Sequence, residues 1–171
     1  PYAISKHTQE QLGALYKQAY DIKIVMTRTF NLIGAYQQIG YEALDICKQI
    51  SSAEKGLTQG VIMVGDASII RDYIDVRDAV KLYRLLALNG RCGEVYNVGS
   101  GKGHSVKEIA DMVFPLASCK VALHEDQSKR KADTIPVSYA DMSKAKNEFN
   151  WSPQIPIKQS LEDTLNFFRH R

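Results

Sequence analysis

Residues 22–30 read Ile-Lys-Ile-Val-Met-Thr-Arg-Thr-Phe, and this stretch decides the fold. It is rich in β-branched residues and mostly apolar, which is typical of a strand buried in a parallel sheet. The preceding residues, from 4 to about 20, form an amphipathic helical pattern with apolar positions at Leu12, Leu15, Tyr16 and Ala19. A helix followed by a buried strand predicts a fold of the α/β class.

A polar residue follows this strand directly. Asn31 begins the segment Asn31-Leu32-Ile33-Gly34, which we expect to be a loop at the carboxyl end of the strand. Open α/β sheets bind their ligands at the carboxyl ends of their strands. The sequence therefore predicts a ligand site close to Asn31.

The rest of the chain alternates helical and extended patterns. Helices are predicted for residues 41–54, 77–89, 105–116 and 143–149, with a last helix starting at Ser160 as its cap. Extended segments are predicted for residues 61–64, 71–76, 94–98 and 120–124, and a polar loop for 125–136. The predicted buried sets are Leu44, Ile46, Cys47 and Ile50; Ala79, Val80, Tyr83 and Leu86; and Leu161, Leu165 and Phe168.

Tyr2 and Lys6 stand four residues apart at the start of the first helix, so both side chains should point the same way. A neighbouring ammonium favours the charged form of an acid, so Lys6 is expected to lower the pKa of Tyr2. Such a tyrosine can exchange a proton with a sugar hydroxyl or carbonyl near neutral pH. The same spacing is also common for a surface tyrosine beside a solvated lysine.

Composition and charge exclude several classes of function. The 171 residues carry a formal net charge of +3, which is too small to argue for binding to nucleic acid or to an anionic membrane. The three cysteines lie far apart and the four histidines lack the spacing of metal ligands, so neither a disulfide framework nor a metal site is predicted. A reducing cytoplasm fits best. The start at Pro1, directly before a helix, predicts a fragment of a longer protein.

The segment Gly99-Ser100-Gly101 follows a predicted strand and precedes a helix, as a dinucleotide-binding fingerprint does. The third glycine of that fingerprint is His104 here, and Ser105 with Glu108 forms a capping box. We therefore interpret these glycines as part of a helix-capping loop.

Several motifs occur together in a characteristic order. They are Tyr2-Ala-Ile-Ser-Lys6, Arg28-Thr-Phe-Asn-Leu-Ile-Gly34, Arg71-Asp-Tyr-Ile-Asp-Val-Arg-Asp78, Tyr96-Asn-Val-Gly99, Arg130-Lys-Ala-Asp133, Asp141-Met-Ser-Lys-Ala145 and Trp151-Ser-Pro153. The series resembles the extended short-chain dehydrogenases/reductases that act on nucleotide sugars. The residues of these motifs are most similar to those of GDP-4-keto-6-deoxymannose reductases. GDP-mannose 4,6-dehydratases and UDP-hexose 4-epimerases remain as alternatives.

The resemblance implies a fold. The chain would be the C-terminal part of a Rossmann-like α/β fold together with the smaller α/β substrate-binding domain, without the dinucleotide-binding N-terminal half. Residues 1–34 and 91–103 would be the remnant of the dinucleotide-binding domain, and residues 35–90 and 104–171 the nucleotide-sugar domain.

The resemblance also implies roles for single residues. Tyr2 would be the catalytic acid/base, and Lys6 would bind the nicotinamide ribose and tune Tyr2. Phe30 would lie against the cofactor, which would be NAD or NADP with NADP favoured. Asn31, Arg71 and Arg130 would hold the diphosphate and Asp133 the nucleoside ribose, since guanidinium groups bind phosphate well and a carboxylate accepts from hydroxyls.

The implied activity is that of an NAD(P)-dependent oxidoreductase acting at C4 of a GDP-hexose, with the fragment alone inactive. A non-catalytic nucleotide-sugar binding module is the alternative of another class. The implied partners are a nucleotide-diphosphate sugar, with a GDP-sugar favoured, and further copies of the chain joined through the helix that starts at Tyr2.

Overall fold

The structure is a computed structural model that describes residues 1–37, 40–129 and 135–171. Its helices are α1 (Tyr2–Tyr20), α2 (Glu42–Glu54), α3 (Val76–Asn89), α4 (Val106–Val113), α5 (Ser143–Phe149) and α6 (Ile157–Arg169). Its strands are β1 (Met26–Thr29), β2 (Asn31–Ile33), β3 (Val61–Val64), β4 (Ile70–Asp75), β5 (Val95–Val98), β6 (Gly103–Ser105), β7 (Ala122–Glu125) and β8 (Val137–Ser138). Helices alternate with mostly parallel strands, which confirms the predicted α/β class.

The strand predicted for residues 22–30 is two strands. β1 pairs in parallel with β5, whereas β2 pairs in parallel with β4. Phe30 lies between them, and its N–H donates to the carbonyl of Val98 at the end of β5. The chain therefore leaves one sheet at Phe30 and enters another at Asn31, so Asn31 begins a strand and is not in a loop.

β4 is the central strand of the second sheet. It pairs in parallel with β2 and β8 and antiparallel with β6, while β3 and β7 form a separate parallel pair. Successive side chains of a strand point to opposite faces. Tyr73 accordingly packs into a core with α2, α4 and α6, and Ile74 packs into a second core with α3 and β5. The second core joins Leu82 and Tyr96, which the predicted division assigned to different domains. The domain division itself stays a prediction.

Helix α2 buries the apolar face that its spacing predicts, with Leu44, Ile46, Cys47 and Ile50 all in the core. In α3 the prediction is partly wrong, because Val80 is 55% exposed while Leu82 is buried. The helix begins at Val76 with Asp75 as its cap, and its buried face runs through Ala79, Leu82 and Leu86. Val80 lies one residue beyond that face.

The last helix starts earlier than predicted. α6 begins at Ile157 after Pro156, and Ser160 lies within it and not at its cap. Proline fixes its own φ near the helical value and suits a helix start. The Ser160 hydroxyl instead donates to Oδ2 of Asp75 at 2.6 Å, while Leu161 and Leu165 fill the core as predicted.

Helix α1 is held against β1 by one face. Glu10 and Arg28 form two hydrogen bonds of 2.8 and 2.7 Å, and a side chain at Gly13 would come within 3.0 Å of the Met26 sulfur. The predicted apolar face is present on the helix, but no residue of α1 is buried. In the part of the chain described, none of the helices is apolar over a membrane-spanning length.

Candidate functional site

A cavity of about 160 Å³ lies where β2 and β4 meet the start of α2. Asn31 of β2 is in register with Tyr73 of β4, so their side chains leave the sheet on the same face. Arg71 stands two residues before Tyr73 and shares that face. The register thus brings Asn31, Arg71 and Tyr73 together in the cavity wall. The wall also contains Leu32, Gly40, Tyr41, Glu42, Ala43 and Leu44.

The first turn of α2 contributes backbone donors to this wall. The first hydrogen bond within the helix runs from the N–H of Asp45 to the carbonyl of Tyr41. The N–H groups of Glu42, Ala43 and Leu44 precede that bond, and Tyr41 provides no side-chain cap. A helix N-terminus with N–H groups and a positive dipole end favours bound anions. Glu42 adds one acidic residue and Arg71 one basic residue to the same wall.

Arg71 and Asn31 are each held by a backbone carbonyl. Nη1 of Arg71 donates to the carbonyl of Ile70 at 2.8 Å, and Nδ2 of Asn31 donates to the carbonyl of Asp72 at 3.2 Å. A guanidinium group carries five N–H donors, so this bond orients Arg71 and uses only one of them. Two of the three residues that the sequence analysis assigned to the diphosphate thus lie in one cavity.

Tyr73 is a cavity residue that the sequence analysis did not single out. It is 5% exposed, and its hydroxyl has no hydrogen-bond partner among the described residues. Burial raises the pKa of Tyr73 above its ordinary value of 10, and the Glu42 carboxylate raises it further, whereas Arg71 lowers it. The phenol therefore stays protonated at neutral pH. Its position was implied by the two-residue alternation from Arg71, but its lack of a partner was not.

Asp72 faces the other side of β4 and organises the glycine-rich loop. Its buried carboxylate accepts hydrogen bonds from the N–H groups of Ser100, Gly101 and Ala140 and from the Ser100 hydroxyl. Residues 99–101 therefore bind a carboxylate of this chain, which explains the resemblance to a phosphate loop. The capping box of Ser105 and Glu108 is confirmed, and it lies beyond this loop.

Tyr2 and Lys6 lie on α1 and not in the cavity wall. Tyr2 is 76% exposed, and Nζ of Lys6 is 5.8 Å from the centre of its ring. The predicted adjacency of the phenol and the ammonium is thus present. Phe30, between β1 and β2, is half-buried and also outside the cavity wall. Arg130 and Asp133 lie outside the described residues.

Comparison with known proteins agrees with this architecture. The family model for GDP-mannose 4,6 dehydratase matches residues 1–164. A GDP-6-deoxy-D-mannose reductase from Pseudomonas aeruginosa is 30% identical over 172 residues, covering 100% of this chain and 56% of that protein. A dTDP-glucose 4,6-dehydratase from Haemophilus influenzae is 32% identical over 178 residues, covering 98% of this chain and 51% of that protein.

A solved structure of RMD from Pseudomonas aeruginosa complexed with NADPH superimposes with a TM-score of 0.92 at 29% identity, covering 99% of this chain and 56% of that one. The chain spans about half the length of the curated relatives it matches. The resemblance seen in the sequence motifs is thereby confirmed. The chain belongs to the GDP-mannose 4,6 dehydratase family, with the fold of the C-terminal part of an extended short-chain dehydrogenase/reductase.

Proposed function

We propose that this chain is the substrate-binding part of an NAD(P)-dependent oxidoreductase that acts at C4 of a GDP-hexose. The observation that carries the proposal is the cavity in which Arg71 and Asn31 meet the N-terminus of α2. A planar guanidinium, an amide and backbone N–H groups are the donors that phosphate oxygens prefer. The similarity to a GDP-6-deoxy-D-mannose reductase supports a GDP-sugar and a reductase activity.

The cavity is large enough to hold one part of such a substrate. A protein cavity of about 150 Å³ accommodates a molecule the size of benzene, and the volume here is about 160 Å³. We assign this space to the diphosphate. Arg130 is proposed as a second diphosphate ligand and Asp133 as the acceptor for the nucleoside ribose, on the family resemblance of their motif.

The residues proposed for catalysis lie on α1. Tyr2 holds or delivers the proton at the C4 oxygen, and Lys6 lies beside it on α1, with its Nζ 5.8 Å from the centre of the Tyr2 ring. An exposed phenol and an ammonium on one helix face also fit the ribose of a nicotinamide cofactor, and Phe30 would lie near that cofactor. The cofactor, when bound, supplies or accepts the hydride. NADP is proposed over NAD: a matched structure at 29% identity was solved with NADPH, while two at 24% identity were solved with NAD.

A binding experiment with the 171-residue chain tests the cavity. GDP is titrated by calorimetry into the wild-type chain and into Arg71→Gln. Because charge-assisted hydrogen bonds contribute about 1.5–3 kcal/mol each, the variant should bind GDP about 10- to 100-fold more weakly. Guanosine, which lacks the diphosphate, should bind both proteins equally.

Arg84→Gln provides the matched control, since Arg84 is an exposed arginine of α3 outside the cavity wall. It should bind GDP as the wild type does. Equal losses in both arginine variants, or no loss in Arg71→Gln, would show that the cavity does not take the diphosphate.

A GDP-mannose 4,6-dehydratase is the second candidate, favoured by the family model that matches most of the chain. Products decide between the two in an intact protein that carries this chain. A dehydratase converts GDP-mannose into a 4-keto-6-deoxy sugar without net consumption of NADPH, whereas a reductase consumes one NADPH for each ketosugar.

A further inference from the structure

A carboxylate lies one helical turn after Lys6 on the same face of α1. Tyr2, Lys6 and Glu10 follow one another at intervals of four residues, so their side chains form one row along the helix. A lysine and a glutamate at this spacing on a helix attract each other and can form an ion pair. Without another partner, the Glu10 carboxylate would compete with Tyr2 for the ammonium group of Lys6.

Arg28 occupies that carboxylate in the structure. Nε and Nη2 of Arg28 donate to the two carboxylate oxygens of Glu10 at 2.8 and 2.7 Å, in the bidentate geometry that makes such pairs strong. The hydrogen bond from Arg28 lowers the pKa of Glu10 from its ordinary value of 4.5, so Glu10 is charged at neutral pH. Nζ of Lys6 donates instead to the amide oxygen of Gln9 at 3.4 Å, and it forms no ion pair with any described residue.

The direction of α1 along β1 decides where this row of side chains leads. Glu10 contacts Arg28, whereas Gly13, which comes later in the helix, lies against Met26, which comes earlier in the strand. The helix therefore runs antiparallel to β1. With a rise of about 1.5 Å per residue, the row extends about 12 Å from Glu10 to Tyr2. It thus leads from Arg28 towards the carboxyl end of the strand, where α/β sheets bind their ligands.

We propose that Arg28 is a positioning residue that holds the Glu10 carboxylate away from Lys6 and so leaves the ammonium group free for Tyr2 and for the ribose of the cofactor. This inference rests on the proposed function, because it takes Tyr2 and Lys6 as the residues that act there. The effect of Arg28 passes through Glu10 and Lys6. Loss of Arg28 alone therefore impairs the site, whereas loss of both partners of the ion pair does not.

Arg28→Gln, Glu10→Gln and the double variant test this role in an intact protein that carries this chain. Arg28→Gln leaves a charged carboxylate beside Lys6, so kcat and the affinity for NADPH should each fall about 5-fold, the effect of one unit charge about 4 Å away in water. Glu10→Gln removes the competing carboxylate and should keep both values. The double variant should recover the wild-type values, although it lacks both partners of the ion pair.

The ammonium signal of Lys6 in the 171-residue chain provides a readout that does not depend on turnover. The Nζ signal is followed by NMR between about pH 3 and pH 6, the range in which a glutamate titrates. In Arg28→Gln it should shift as Glu10 becomes charged, because the released carboxylate lies beside it. In the wild type, in Glu10→Gln and in the double variant it should stay nearly constant.

Arg91→Gln is the matched control. Nε and Nη2 of Arg91 donate to the two carboxylate oxygens of Glu148, and the Arg91 side chain is 62% exposed against 60% for Arg28. This pair has no member on α1. Breaking it should leave kcat, the affinity for NADPH and the Lys6 signal unchanged. The control thus separates the loss of an exposed ion pair from the release of Glu10.

Two results would overturn the inference. Equal kcat values in Arg28→Gln, Glu10→Gln and the double variant, whether reduced or not, would show that the release of Glu10 does not affect the site. A Lys6 signal that is the same in Arg28→Gln and in the wild type would show that Glu10 does not compete for the ammonium group. If the intact protein neither turns over a GDP-ketosugar nor binds NADPH, while the Lys6 signal follows Glu10 in Arg28→Gln alone, the proposed function fails and the role of Arg28 towards Lys6 stands.

Discussion

Neighbouring residues of β4 perform different tasks because they face opposite sides of the sheet. Arg71 and Tyr73 line the cavity, whereas Asp72 between them is fully buried on the other side. The Asp72 carboxylate has a complete set of partners within the chain, from Ser100, Gly101 and Ala140. A side chain at Gly99 would come within 2.7 Å of its Oδ2, so glycine is needed there for close approach. Asp72 is therefore a structural group, whereas the Tyr73 hydroxyl has no hydrogen-bond partner among the described residues.

The residue scale is also where the sequence predicts the site best. Asn31 was expected near a ligand because it follows a strand, and Arg71 because of its motif, and both lie in the cavity wall. Tyr73 could not be recognised as unpaired, because the partners of a buried hydroxyl depend on packing between β4 and α2. Ser160 was misassigned as a cap for the same reason, since its partner Asp75 is distant in sequence.

Replacement of Tyr2 by phenylalanine tests catalysis at this scale. In an intact protein that carries this chain, Tyr2→Phe removes the proposed proton donor and keeps the ring. Turnover of a GDP-ketosugar should fall about 10²- to 10⁴-fold with little change in KM, as is typical of a lost general acid. The measurement is the steady-state rate of NADPH oxidation.

Tyr20→Phe serves as the control for that experiment, because Tyr20 is a similarly exposed tyrosine at the other end of α1. Its turnover should match the wild type. Full activity in Tyr2→Phe would show that Tyr2 is not catalytic. An intact wild-type protein that binds GDP without any turnover would favour the non-catalytic binding module.

At the scale of elements, local patterns predict the type of structure well and its boundaries less well. The run from residue 22 to residue 30 is mostly apolar and rich in β-branched residues over its whole length, so nothing in it shows that the chain changes sheets at Phe30. That change depends on β5 ending at Val98 and on β4 being available to Asn31. Pairing partners distant in sequence therefore set the boundary between β1 and β2, and with it the place of Asn31 in the cavity.

A partly buried ion pair joins α2 to α6 and predicts a pH dependence of stability. Glu54 and Arg169 are connected by two hydrogen bonds of 2.8 and 2.6 Å, and the Glu54 side chain is only 8% exposed. The hydrogen bonds from Arg169 lower the pKa of Glu54 from 4.5 to about 2. A lowered pKa stabilises the folded chain above the ordinary pKa, and this contribution is lost as the pH falls from about 4.5 towards 2.

Glu54→Gln should therefore lower the free energy of unfolding by about 3 kcal/mol at pH 6 and by about half as much at pH 3. Urea denaturation at the two pH values measures both differences. Glu162→Gln, the same change at an exposed position of α6, should stay within about 0.5 kcal/mol of the wild type. A loss in Glu54→Gln that does not depend on pH would mean that packing, and not the ion pair, is responsible.

At the scale of the whole molecule, α1 differs from the other α-helices of the described residues because none of its side chains is buried. Glu10, Gly13 and Lys17 lie against β1 and the turn at Gly93. Leu12, Leu15 and Tyr16 lie on the other side of the helix and are each about half exposed. The helical spacing predicts this apolar face from the sequence, but it could not show that the chain leaves the face uncovered, because that depends on how the other elements pack.

An apolar helix face of this kind is expected to pair with a second copy, since symmetric dimers bury the same surface on both partners. The double variant Leu12→Glu/Leu15→Glu would place four carboxylates in such an interface, two from each chain. Size-exclusion chromatography with light scattering should therefore show a dimer or larger assembly for the wild-type chain and a monomer for the variant.

Leu57→Glu/Leu88→Glu makes the same chemical change at two exposed leucines outside α1, and it should leave the assembly intact. Identical masses for both double variants and the wild type would place the contact between copies elsewhere on the chain, and a monomeric wild type would leave α1 without this role.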